Sequence, residues 1–90
     1  MRILCVDDDF QSRYLLQKTL ESQGHHVTLA DNGQEAIDKL QQTTYDLIIS
    51  DILMPGMDGY QLCQWIRKQT NLQHIPFALY SASFIEETDE

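Results

Sequence analysis

Three consecutive aspartates, Asp7, Asp8 and Asp9, follow one short apolar run, and a fourth, Asp51, follows another. Carboxylates gathered in one pocket repel each other, and either protonation or a hard divalent cation must offset that repulsion. Mg2+ prefers oxygen ligands, usually one or two carboxylates together with waters and a substrate phosphate. Asp7, Asp8 and Asp51 together therefore point to a Mg2+ (or Mn2+) site suited to phosphate chemistry. Asp9 has a plainer role, as first-turn acid or N-cap of the helix that follows. Cys5 and Cys63 have neither a CxxC partner nor a metal spacing, and read as buried reduced thiols. His25, His26 and His74 sit near element boundaries and read as surface residues.

The acids have to be positioned by the elements around them. Arg2 to Val6 is a short strand-prone run ending at Asp7. From about Phe10 to Gln23, the spacing of Phe10, Tyr14, Leu15 and Leu20 suits one helix face, and Gly24 is a natural stop. Val27 to Ala30 is a second strand. Asp31-Asn32-Gly33 is turn chemistry, and either Asp31 or Asn32 could cap a helix that carries Ala36, Ile37 and Leu40 inward and ends near Gln42. Leu47 to Ser50 is a continuous apolar run of the kind covered on both faces, with Asp51 next. After the loop from Leu53 to Gly59, a third helix from about Tyr60 to Gln69 buries Leu62, Cys63 and Ile66. Pro76 to Tyr80 is a fourth strand, and residues 83–90 read as the start of a fourth helix. This βα alternation predicts a parallel sheet with helices on both faces. Ligands then bind outside the carboxyl ends of the strands, where Asp7, Asp8, Asp51 and Ser81 all fall.

The chain has 90 residues and a net charge of −8, from 14 acidic and 6 basic residues. That length holds one small domain. The acidity argues against direct nucleic-acid binding, which leaves a basic footprint. No apolar run approaches a membrane span, and Met1-Arg2 leads straight into the first strand with no signal-peptide pattern. A cytoplasmic protein with no membrane contact is expected.

Taken together, these residues resemble a known family. Ile3-Leu4-Cys5-Val6-Asp7-Asp8-Asp9 looks like the opening of response-regulator receiver domains. Asp51-Ile52-Leu53-Met54-Pro55-Gly56-Met57-Asp58-Gly59 looks like their phosphoacceptor strand and following loop. Ser81-Ala82 looks like the hydroxyl and small residue that end their fourth strand. The resemblance implies a flavodoxin-like, doubly wound α/β fold with strand order 2-1-3-4. It implies a signalling switch of a two-component system, a phosphoacceptor and not an enzyme. A phosphohistidine on a histidine kinase or phosphotransfer protein would be the donor. Carried over by position, Asp51 is the phosphoacceptor, and Asp8 and Asp51 bind the metal directly. Asp7 binds it through water, and the backbone carbonyl of Leu53 completes the ligands. The Ser81 hydroxyl bonds a phosphoryl oxygen, and the small Ala82 leaves room for access.

The chain also departs from the pattern. The family has a fifth strand and helix, with a Lys before a Pro that pairs with the phosphoryl group. The lysines here, Lys18, Lys39 and Lys68, all lie in predicted helices. Residues 1–90 are thus expected to be the first four βα units of a receiver whose C-terminal part is absent. The fourth strand would be left as a bare edge that favours homodimers or other self-association. The segment from Phe77 to Phe84 resembles receivers fused to sensor or kinase modules. Two other readings compete: a pseudo-receiver used for protein contacts, and a haloacid-dehalogenase-like phosphohydrolase with Asp7 as nucleophile and Asp9 as acid.

Overall fold

A computed structural model describes residues 1–81 and the backbone of residues 85–88. The elements run β1 (Arg2–Val6), α1 (Phe10–Glu21), β2 (His26–Ala30), α2 (Gly33–Gln42), β3 (Leu47–Asp51), α3 (Gly59–Arg67), β4 (Phe77–Tyr80) and β5 (Ile85–Thr88). The sheet order is β2-β1-β3-β4-β5. The first four strands are parallel, as the alternation predicts, in the order 2-1-3-4 implied by the resemblance.

Each helix starts where the local chemistry lets it start. The Asp9 side chain accepts from Ser12 N at 2.9 Å and caps α1. Asn32, not Asp31, caps α2 through Glu35 N at 2.8 Å. Asp58 caps α3, with Gln61 reaching back to the Asp58 backbone in a reciprocal capping box. These bonds satisfy N–H groups that the first turn of a helix leaves without partners.

Strand alternation gives the sheet two faces. Leu4, Val6, Ile48, Phe77 and Leu79 form one, and they are buried with Ala36, Ile37 and Leu40 of α2 and Leu62, Cys63 and Ile66 of α3. Ile3, Cys5, Ile49, Asp51, Ala78 and Tyr80 belong to the other. There α1 lies over β1 and β2, while Ile49, Ala78 and Tyr80 are half-buried.

Three expectations need correction. The face of α1 is not the one drawn from Phe10, Tyr14, Leu15 and Leu20: Phe10, Tyr14 and Leu15 are 68%, 50% and 68% exposed. Arg13, Leu16, Gln17 and Leu20 turn toward the sheet instead, at the spacing of one helical stripe. The stems of Arg13 and Gln17 supply apolar surface that a search for hydrophobic letters overlooks. Second, residues 85–88 are not helical; they form β5, antiparallel to β4, with Tyr80 opposite Ile85 and Phe77 opposite Thr88. Third, β4 is therefore not a bare edge. The antiparallel return of β5 satisfies its outer backbone groups, which a helix at that position would have left unpaired. Its direction also sets β5 apart from the parallel fifth strand of the resemblance.

Candidate functional site

The parallel register brings the strand ends level. Val6 stands opposite Ser50, and Asp51 opposite Tyr80. One step beyond β1, Asp7 falls in the row of Asp51, so three adjacent strands present Asp7, Asp51 and Tyr80 side by side on one face. Asp8 follows at the rim. Ligand oxygens of Asp7, Asp8 and Asp51 all lie within 4.8 Å of one another. The sequence-predicted acids are thus brought together, from buried Asp7 through half-buried Asp51 to exposed Asp8. Asp9 stands apart from that group, its carboxylate turned to the first turn of α1.

Asp7 is 1% exposed and held from several sides. Its Oδ1 accepts from Asp9 N at 2.9 Å, and the Tyr80 hydroxyl donates to its Oδ2. The Arg13 guanidinium donates to the Asp7 carbonyl at 2.7 Å, pinning the backbone where β1 gives way to α1.

Burial, then the charge of Asp7, pushes the Asp51 carboxyl above the ordinary carboxylate range; Asp8 adds to the rise, and backbone N–H bonds from Leu53 and Ile52 partly offset it. Repulsion from Asp7 and Asp8 is thus one cost that the Asp51 carboxylate bears. A divalent cation would remove that cost, and a donor set made wholly of carboxylate oxygens suits a hard cation of the Mg2+ type. The residues present fit such an ion.

The loop after Asp51 is tied down close to it. Ile52 N donates to the Tyr80 carbonyl at 2.9 Å, and Gly59 N donates to the Ile52 carbonyl at 2.9 Å. Gly59 opens α3 directly against β3: a Cβ there would lie 2.6 Å from Leu79 Cδ2 and nearer still to the Asp51 carbonyl oxygen. Gly56 turns the loop with φ of +77°, a conformation that side chains resist. Leu53 is exposed, with its backbone beside Asp51. Ser81 follows β4 at the same rim, half-buried, and Ala82 lies outside the described residues.

Sequence reasoning missed Tyr80 and Arg13 as residues of this site. Alternation along β4 was the available signal for Tyr80, since it places that residue on the Asp51 face. Arg13 sits one turn into α1 from Asp9, and nothing in its type or spacing marked it.

Parallel strands in the order β2-β1-β3-β4, with helices on both faces and an acid cluster at the carboxyl ends of β1 and β3, make this a doubly wound α/β fold with its polar site at the strand ends. The family model for the response regulator receiver domain matches residues 3–89, and the chain belongs to that family. It is 44% identical over 68 residues to the transcriptional regulatory protein ResD of Bacillus subtilis, covering 76% of this chain and 28% of ResD. It is 41% identical over 73 residues to the sensor histidine kinase GacS of Pseudomonas protegens, covering 81% of this chain and 8% of that protein. This chain therefore matches a minor part of the length of each. Among solved structures it is similar to the response regulator TrrA from Thermotoga maritima, in complex with Mg2+ and BeF. That match has a TM-score of 0.84 and 40% identity, over 90% of this chain and 69% of that one.

Proposed function

We propose that residues 1–90 act as a phosphoacceptor unit of a two-component system, with Asp51 as the acceptor. The observation that carries this reading is the convergence of Asp7, Asp8 and Asp51 within 4.8 Å at the ends of β1 and β3, in a chain of the receiver family. The donor is a phosphohistidine on a histidine kinase or phosphotransfer protein. An Asp51 carboxylate oxygen forms a bond to phosphorus, and the phosphorus–nitrogen bond breaks. Its electron pair stays on the leaving imidazole, which takes up a proton from solvent. The domain is a substrate and switch, not a turnover enzyme.

Asp8 and Asp51 would hold Mg2+ (or Mn2+) directly, Asp7 through water, and the Leu53 carbonyl would complete the set. The cation would neutralise charge on the transferring group. The chain's own residues do the rest. The backbone N–H groups of Leu53 and Ile52 orient Asp51, and the Ser81 hydroxyl would bond a phosphoryl oxygen. Ala82, small by residue type, would leave room for access. Kinases that make phosphohistidine use cytoplasmic ATP, so the domain works in the cytoplasm, either fused to a sensor kinase or heading a regulator.

Beryllium fluoride with Mg2+ tests the reading, alongside acetyl phosphate labelling of the parent and Asp51→Asn. We expect the parent to bind the fluoride complex and take label, and Asp51→Asn to do neither. Equal labelling of the two would place the acceptor elsewhere. A parent inert to both reagents would be a contact-only domain.

A further inference from the structure

Tyr80 has no part in the ligand set just described, yet its hydroxyl is bonded to that set. Its Cα is level with Asp51 across the β3–β4 register, and the ring reaches past β3 so that the hydroxyl meets Asp7 Oδ2. Asp7 Oδ1 is bound on its other side by Asp9 N. A carboxylate with a donor on one oxygen still turns about its Cβ–Cγ bond. With a fixed donor on each oxygen, it does not. The lone pairs left over are then aimed in fixed directions before any cation arrives.

Packing alone does not ask for this hydroxyl. Phenylalanine has the same ring and an equal preference for strands. Covering a phenolic oxygen without a partner costs free energy, so a half-buried hydroxyl on an otherwise apolar strand face needs an acceptor. Here that acceptor is the most buried acid of the cluster. The Arg13 bond to the Asp7 carbonyl fixes the same residue from the backbone side.

We propose that Tyr80 is a positioning residue of the cation site: its hydroxyl, reaching across the Asp51 row, locks the Asp7 carboxylate in the orientation that receives Mg2+ and its water. This rests on the reading of Asp7, Asp8 and Asp51 as a cation site. Groups that orient a ligand without touching the metal commonly change metal affinity by about 10- to 100-fold when removed. The effect of Tyr80 must also depend on the ion. Mg2+ demands near-octahedral geometry, whereas Ca2+ accepts irregular and larger shells. Loss of orientation therefore weakens Mg2+ more than Ca2+, while a general loosening of the fold weakens both alike.

The test is calorimetric titration of the whole chain with Mg2+ and, separately, with Ca2+. The parent is compared with two donor-free variants, Tyr80→Phe and Tyr80→Leu, and whichever keeps a cooperative melt decides. We expect Mg2+ affinity to fall about tenfold in the folded variant, with a clearly smaller loss for Ca2+. Unchanged or increased Mg2+ affinity, or equal losses for the two ions, overturns the positioning role and leaves the cation site standing. A parent that binds no Mg2+ removes the cation site itself, and the inference with it.

Discussion

Replacing Gly59 with alanine should damage the domain through contact alone. The added Cβ would lie 2.6 Å from Leu79 Cδ2 and 3.1 Å from Ile52 Cα, with the Asp51 carbonyl oxygen closer still. Ordinary contact begins near 3.4 Å, so α3 must move about 0.8 Å away from Leu79 of β4 and further from the Asp51 carbonyl of β3. Neither partner can yield easily: Leu79 is fully buried, and the other two contacts are with backbone. Overpacking of this kind costs about 1–3 kcal/mol. Three close atoms, two of them backbone, put Gly59→Ala in the upper part of that range, about 2–3 kcal/mol; the better helix propensity of alanine returns about 1 kcal/mol, leaving a net loss of about 1–2 kcal/mol. With a urea m-value of about 1 kcal/mol/M for a small domain, the midpoint should fall by about 1–2 M. Gly56 is the internal control, because a Cβ there meets nothing within 4 Å and the only obstacle is its φ of +77°. Asparagine tolerates that conformation, so Gly56→Asn should be more stable than Gly56→Ala. At Gly59 the order must reverse, because asparagine is larger. Urea unfolding without divalent ions measures all four variants. A Gly59→Ala midpoint matching the parent's would refute the steric argument.

Three further outcomes follow from the charges. The folded-state pKa of Asp51 is raised, so its ionisation opposes folding at neutral pH, and the penalty is relieved as pH falls through that raised pKa. Asp51→Asn should therefore raise the metal-free melting temperature at pH 7, with the gain shrinking on acidification; a gain independent of pH would show that charge is not the cause. The pKa of Asp9 is lowered, first by its bond from Ser12. Its contribution is thus present above the ordinary aspartate range and lost as pH falls through the lowered pKa, so Asp9→Ala should melt earlier at neutral pH and like the parent in strong acid. Mg2+ affinity should be far less sensitive to Asp9→Ala than to Asp8→Ala, and calorimetry would expose the opposite ranking.

The positions of β1 through β4 along the chain were legible because each strand is an apolar run ended by a polar residue, a pattern that survives in sequence whatever packs against it, whereas their order in the sheet came from the family resemblance. The same pattern delivered Asp7, Asp8, Asp51 and Ser81 to one rim. It was less informative where burial comes from parts of side chains. The inward stripe of α1 uses the stems of Arg13 and Gln17, so counting apolar letters selected Phe10 and Tyr14, which face outward and stack on each other. Glu86 and Glu87 drew the last segment toward a helical reading, but pairing with β4 outweighs local propensity there. Tyr80 lay hidden for a third reason. Its role depends on a hydroxyl crossing a neighbouring strand, which follows from register and not from the order of residues along the chain.

Cys5 lies in β1, with no exposed surface, and burial together with the charge of Asp7 pushes its thiol up to about 12. At pH 8 such a thiol is ionised in about one molecule in ten thousand. An alkylating reagent consequently reads the closed molecule as lacking a reactive sulfur at this position. Modification waits for β1 to come away from its neighbours β2 and β3, which exposes the sulfur and restores ordinary acidity at once. The domain thereby contains its own clock for rare openings, placed two residues from the acids, and an ion that clamps those acids should slow it.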